Sequence, residues 1–473
     1  MPVLNQLVRI IEGQRLHLLY LCFALPLGFF LIVATPPFQT PDAVNHFYRV
    51  IQISEGHLLG EKLGATSGGP IDGGAIAFSR LFDPIAAHPE VKVTAAMLAV
   101  ANGQRWTNEI RIAEFPNTAI YPAYAYLPQA LGVKIGQMFR MTVRNTLMVV
   151  CALGLAMSIA LTCWALAIGR RTRPLIFATA LLPSTLMIFS SVSQEVSVFP
   201  VCFLLIAYLE RFLSERWKLD ARKLVIAGLA LILCISARPP YAGLLLIIFC
   251  PALRVGRDGQ SYGLWQRAVW CAAVGLVAIV ATTIFGNAAW APVPPPRSVA
   301  GQVAFLLHAP LNIPSIAIAT FRQNATLYYQ SFVGILGWLD AYMSPGYYRA
   351  AAVMLMFALV STVLQPSLPE GKRAADRATI AVSILTCVGM IFGSLYLTWT
   401  PVGQQVVEGV QGRYFLALFP LFGLALPNLI ARGRDTVRAF RIVEQACLLG
   451  VSVFPAYTFV DLVRAIIVRY YLH

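Results

Sequence analysis

Three ionisable side chains crowd into PPFQTPDAVNHFYRV, residues 36–50: Asp42, His46 and Arg49. A carboxylate can take a proton from a hydroxyl nucleophile. A guanidinium holds phosphate through forked hydrogen bonds. On a helical period Asp42, Asn45, His46 and Arg49 share one stripe, and Val44, Phe47, Tyr48 and Ile51 share the other. Thr40 and Pro41 predict a helix start, with Asp42 in the first turn, where the dipole favours a carboxylate, and Gly56 as the stop. The expectation is a short amphipathic helix lying on the outer membrane surface. The plainer alternative is that Asp42 serves the dipole and the stripe is solvated.

Other polar groups recur at one depth in separate segments. Gln194 and Glu195 lie in SSVSQEVSVFP, Arg238 in SARPPY, Asp340 in GWLDAYMSP, and Arg413 and Tyr414 in GVQGRYFLALFP. Each alone reads as a cap or interface anchor. Together with Asp42 they predict one outward-facing polar site. Nearby aromatics such as Trp338, Tyr342 and Trp399 fit an interfacial belt, and a few can stack on sugar rings.

The elements that must position these residues are membrane helices. The chain of 473 residues is 58% hydrophobic and 12% charged, where soluble domains carry about 25% charge. Apolar runs predict an all-α polytopic transmembrane protein of about eleven spans: 17–36, 145–168, 174–193, 196–213, 224–237, 240–253, 268–286, 347–366, 378–399, 414–431 and 444–463. The fifth and sixth are short and read as a hairpin. The net charge of +15 lies in short loops and sets topology; it does not call for nucleic acid. The nine cysteines fall in or beside apolar runs, without metal-ligand or disulfide spacing.

Every second loop is cationic. Arg170, Arg171 and Arg173 form one cluster; Arg211, Arg216, Lys218, Arg222 and Lys223 a second; Arg254, Arg257 and Arg267 a third; Lys372, Arg373 and Arg377 a fourth; Arg432, Arg434, Arg438 and Arg441 a fifth. This pattern predicts a cytoplasmic N-terminus. Within one domain spanning 1–473, two large loops then face outward, 37–144 and 287–346. The last span is the least secure, with Arg464 and Arg469 at its outer end. Residues 303–320 are apolar but broken by Pro310 and Pro314, a re-entrant pair or two crossings that would raise the count to thirteen. In the first loop, GATSGGPIDGG reads as flexible, the stretch from Asp83 to Trp106 as a second surface helix, and EFPNTAIYPAYAYLPQALG as a cleft wall or a connector.

An outer-face acid with arginines fits a lipid-phosphate substrate. It describes a glycosyltransferase using a polyprenyl-phosphate sugar donor, with Asp42 as base and Arg413, with Arg238 or Arg49, on the phosphate. The blocks PPFQTPDAVNHFYRVIQISEG, YPAYAYLPQALG, FVGILGWLDAYMSP and QGRYFLALFPL resemble those of a bacterial polytopic membrane-protein family of unknown function. That family in turn resembles the GT-C class of glycosyltransferases. The resemblance implies a GT-C-like fold in the bacterial inner membrane and a site facing the periplasm, with an acid in the first outer loop as catalytic base, matched here by Asp42. Arg413 matches the Gly-Arg-Tyr-Phe block. The family block reads Pro-Asp-Glu before the histidine; Pro41-Asp42-Ala43 carries one carboxylate fewer. Where the family carries Asn or Asp after the third span, Gln194 and Glu195 stand here.

A divalent cation is possible on Asp42, His46 and Glu195, but no complete ligand set is readable. The acceptor would be a glycan or glycolipid of the cell envelope. Two alternatives use the same face: a glycan polymerase or ligase with a lipid-diphosphate donor, and a lipid-linked glycan transporter or flippase. Ion-coupled transporters place ionisable groups near the membrane midplane. The spans here are free of charge inside, which favours the enzyme.

Overall fold

A computed structural model describes residues 15–215, 217–256, 261–291, 295–365, 373–427, 429 and 434–472. Arg216, Arg257, Lys372 and Arg432 of the cationic clusters lie outside them, as does part of the expected span 414–431.

Long apolar stretches satisfy their backbone groups as helices, and so do some shorter amphipathic ones. The principal ones are α1 (Leu16–Ala34), α2 (Ala43–Ser54), α3 (Val143–Ile168), α4 (Glu195–Ser214), α5 (Ala221–Ala237), α6 (Leu264–Ala289), α7 (Asn312–Val333), α8 (Pro345–Leu364), α9 (Arg373–Thr398) and α10 (Arg434–Tyr470). Among the described residues seven of these, α1, α3, α4, α6, α8, α9 and α10, are long and apolar enough to cross a membrane. The chain is thus a mostly helical, multi-pass membrane protein.

Of the other four expected spans, 224–237 is the single 17-residue helix α5, and the remaining three are not continuous α-helices. Residues 174–193 break into Arg173–Ala180 and Pro183–Phe189, almost wholly buried, because Pro183 cannot continue the first piece. Residues 240–253 form a 3-10 segment, Pro239–Phe249, after α5. Residues 414–431 begin as short turns, Gly412–Phe415, Phe419–Leu421 and Phe422–Ala425. In the second large loop Val299–His308 and α7 meet at 114° around Pro310. Pro314 sits in the first turn of α7, where its missing N–H costs no helical bond.

The first loop is folded. Its sheet, β1 (Glu61–Leu63), β2 (Thr66–Asp72) and β3 (Ile110–Glu114), is antiparallel in that order. The glycine-rich segment expected to be flexible is β2. Its glycines permit close approach: a Cβ on Gly68 would lie 1.9 Å from Ala113 O, and one on Gly69 would lie 2.2 Å from Gln52 Nε2. Asp72 fixes the strand end by accepting from the backbone N–H groups of Gly74, Ala75, Thr107 and Asn108. The expected second surface helix forms over Ala95–Gly103.

The helix α2 does not lie on a surface. Most of its residues are buried, both apolar and polar, beneath the sheet and the helix Leu127–Met138. The helix α10 runs 37 residues, about 55 Å at ~1.5 Å per residue. It therefore carries Arg464 and Arg469 beyond its apolar stretch into the folded loop. There Lys92 Nζ donates to Val468 O and Arg469 O.

The bundle has two unlike ends. Cys163 Sγ approaches His17 O at 3.7 Å, so α1 starts where α3 finishes, beside Arg170 and Arg171. At the other end α1 leads into Asp42, α4 begins at Glu195 and α5 delivers Arg238.

Candidate functional site

One polar cavity of about 90 Å³ sits at that second end. Asp42, His46, Gln194, Glu195, Arg238, Arg413 and Tyr414 all line it. The sequence spreads these residues over four segments, and the fold brings them together.

The helix α2 starts at Ala43, one residue after Asp42. The expected Thr40 cap with Asp42 in the first turn is therefore corrected: Asp42 holds the cap position in left-handed backbone, φ 62°, and its side chain does not cap. Such a backbone costs a non-glycine residue ~1–2 kcal/mol, and the cost gathers at functional sites. The freed carboxylate accepts from Asn117 Nδ2 at 2.5 Å, while Asn117 Oδ1 accepts from Asn45 Nδ2 at 2.5 Å. The second bond fixes the Asn117 amide so that its NH₂ must face Asp42. Gly56, with φ 92°, ends the helix as expected.

Burial pushes the Asp42 carboxyl above its ordinary range, against the charge of Arg413 and the hydrogen bond from Asn117. His46, one turn on, bonds through Nδ1 to Tyr126 Oη at 2.7 Å and stacks on Tyr121. Burial pushes its pKa down to about 3, helped by the positive charges of Arg413 and Arg238, so the ring is neutral at ordinary pH.

Arg49 does not join them. It is fully buried and donates to Gln52 Oε1, His57 O, Leu58 O and Tyr121 O. The polar stripe splits because residues 57, 58 and 121 cover its second turn. Arg49 locks the wall bearing Tyr121 and does not line the cavity. Asp340 also turns away from the cavity. Its Oδ2 accepts from Arg469 Nε at 2.9 Å and Nη2 at 2.5 Å, and Arg469 also donates to Ile85 O and Val91 O. This cluster ties α10 to both large loops.

Glu195 opens α4, where the helix dipole favours its charge, and it pairs with Arg238. The Arg238 guanidinium lies 4.5 Å from the Tyr414 ring centre, and that of Arg413 lies 5.6 Å from the same ring. With Arg238 neutralised by Glu195, Arg413 is the cation left over. It has no hydrogen-bond or ion-pair partner among the described residues, and its Nε is buried and unsatisfied. Gly412 positions it: a Cβ there would lie 1.9 Å from Tyr328 O, and its N–H donates to Ser331 Oγ at 2.8 Å.

Sequence reasoning passed over Asn117, Tyr121, Tyr126 and Gln411. The first three sit in the Pro- and Tyr-rich segment read as a wall, and the signal there is one of composition only. Among the described residues no group of three or more His, Cys, Asp or Glu gathers as metal ligands. His46 Nδ1 and Glu195 are already engaged by Tyr126 and Arg238.

A second, mostly apolar cavity of about 60 Å³ adjoins the first and shares Thr40, Met187, Ser191 and Val192 with it. It runs between α1 and α3, past Leu31, Val33, Leu147 and Cys151, with Arg144 at its edge.

No curated protein and no solved structure matches the chain. The family model described as Predicted membrane protein (DUF2142) matches residues 25–422, and the chain belongs to that family.

Proposed function

We propose that the protein is a membrane glycosyltransferase of GT-C type that moves a sugar from a polyprenyl-phosphate donor to a hydroxyl of an extracytoplasmic glycan or glycolipid. One observation carries the reading: Asp42 and Arg413, a cation with no hydrogen-bond or ion-pair partner among the described residues, line the same cavity. Its apolar neighbour between α1 and α3 offers a lipid tail a way in from the bilayer.

The acceptor oxygen attacks the anomeric carbon while the bond from that carbon to the phosphate oxygen breaks. The acceptor proton passes to an Asp42 oxygen, and the configuration inverts. The electron pair of the broken bond stays on polyprenyl phosphate, whose charge Arg413 balances by forked hydrogen bonds. Arg238, which lies against the same Tyr414 ring, assists. The cationic clusters at the opposite end support a cytoplasmic placement of that end, and so a cavity facing outward.

The test is release of polyprenyl phosphate by purified protein supplied with a polyprenyl-phosphate sugar. Asp42→Asn is expected to lose about 10²–10⁴-fold in turnover while melting like the parent. Undiminished release by Asp42→Asn would remove Asp42 from the chemistry. A polymerase or ligase would instead consume a lipid-diphosphate donor and leave the monophosphate untouched.

A further inference from the structure

The helices α4 and α5 also border a larger, almost wholly apolar cavity of about 580 Å³. It is distinct from the catalytic candidate. Along α4 the polar cavity is lined by Glu195 and the apolar one from Val201 to Phe212, so the second begins about 9 Å from Glu195 and ends about 25 Å from it, at ~1.5 Å per residue. Its walls include Leu205 and Leu209 from α4, Ala227 and Ala230 from α5, and Leu245 and Ile248 from the 3-10 segment.

The shape of that segment explains the void. Eleven residues of 3-10 helix rise about 22 Å at ~2 Å each, with a slimmer section than an α-helical span. They cannot fill the space a full crossing would take. Apolar cavities stay dry, and Ile226 and Trp164, half exposed on its rim, leave this one open toward the bilayer. Such a lining suits a hydrocarbon chain.

Its charged groups gather at one end: Trp217, Asp220, Arg222 and Lys223 line it, leaving one net positive charge. Lys223 is engaged by Asp220 Oδ2 at 2.7 Å and Lys218 O at 3.0 Å. Arg222 is exposed and has no hydrogen-bond or ion-pair partner among the described residues. Arg211 stacks over Trp217 at 5.5 Å beside it. An aliphatic trough ending in an indole and a free guanidinium matches an acyl chain with an anionic headgroup.

We propose that this groove is a binding site for an anionic phospholipid of the leaflet on the Arg170–Arg222 side, with one acyl chain between α4 and α5 and its phosphate at Arg222. The full chain, delipidated in detergent, is titrated with phosphatidylglycerol or phosphatidylethanolamine, and bound lipid is counted by native mass spectrometry. Phosphatidylglycerol is expected to be retained about fivefold better, the worth of one arginine near an anionic headgroup. Ala230→Trp narrows the trough and should weaken retention of both phospholipids. Arg222→Glu should remove the headgroup preference while chain retention persists, and it stands alone if Ala230→Trp misfolds. Equal retention by parent and both variants, equal affinity for the two phospholipids, or displacement of phosphatidylglycerol by equimolar polyprenyl phosphate would each overturn the assignment.

Discussion

Asn117 donates to the Asp42 carboxylate at 2.5 Å across 75 positions of sequence, and is itself oriented by Asn45. A side-chain amide is thereby dedicated to aiming one carboxylate oxygen and leaving the other free. Hydrogen bonds to charged groups contribute ~1.5–3 kcal/mol. Asn117→Ala is therefore expected to cut turnover by at least roughly tenfold. Steady-state release of polyprenyl phosphate reads this directly, and full activity in Asn117→Ala would show that the carboxylate needs no such aim.

The pH dependence follows from the same contacts. Burial raises the Asp42 pKa, and a base works only when deprotonated. Turnover should climb through an acid limb set above the ordinary carboxyl range. Arg413 and Asn117 both hold that pKa down. In Arg413→Ala or Asn117→Ala the limb should move to still higher pH. A pH–rate profile in which either variant shifts the limb downward would contradict this electrostatic account.

The imidazole of His46 bears on stability. It is held neutral in the fold, with a pKa of about 3, against ~6.5 when unfolded. Its folded pKa is depressed, so its contribution is fully present above ~6.5 and declines as pH falls toward about 3. Melting temperature should drop across that window in the parent. His46→Gln should flatten the decline, as followed by tryptophan fluorescence.

Asp340 and Arg469 separate architecture from chemistry. Removing one partner of a buried ion pair costs about 3–5 kcal/mol. Asp340→Ala should melt markedly earlier than the parent. Turnover per folded molecule at low temperature should nevertheless survive, because neither residue lines the polar cavity. Loss of turnover without loss of stability would return Asp340 to the site.

Gly412 presses against Tyr328 and Phe332 with no room for a methyl group. Gly412→Ala must push the Gln411–Tyr414 turn outward and carry Arg413 with it. A displacement of about 1 Å costs on the order of 10²-fold, to be read as lost turnover with the helical circular dichroism retained.

Much of this was legible in residue order. Seven helices follow from apolar length alone, because lipid leaves the backbone no other partner. Asp42, Glu195, Arg238 and Arg413 were readable as a group, since each polar residue stands where an apolar run stops. Arg49 and Asp340 were not separable from them. Both carry the right charge at the right depth, and only the tertiary fold shows that backbone carbonyls cover one and Arg469 engages the other. The strand β2 was hidden for a related reason. Its glycines answer to neighbours at positions 52 and 113, and nothing local announces them. The breaks in spans 174–193 and 240–253 were marked by Pro183 and by Pro239-Pro240, but hydropathy averages across such residues.

The left-handed backbone at position 42 has an evolutionary corollary. Glycine adopts that conformation freely, so a copy of this protein with no use for a carboxylate at position 42 has a one-codon route to a more relaxed loop. Paralogues with glycine there would be sturdier relatives lacking the proposed chemistry, recognisable from that single letter.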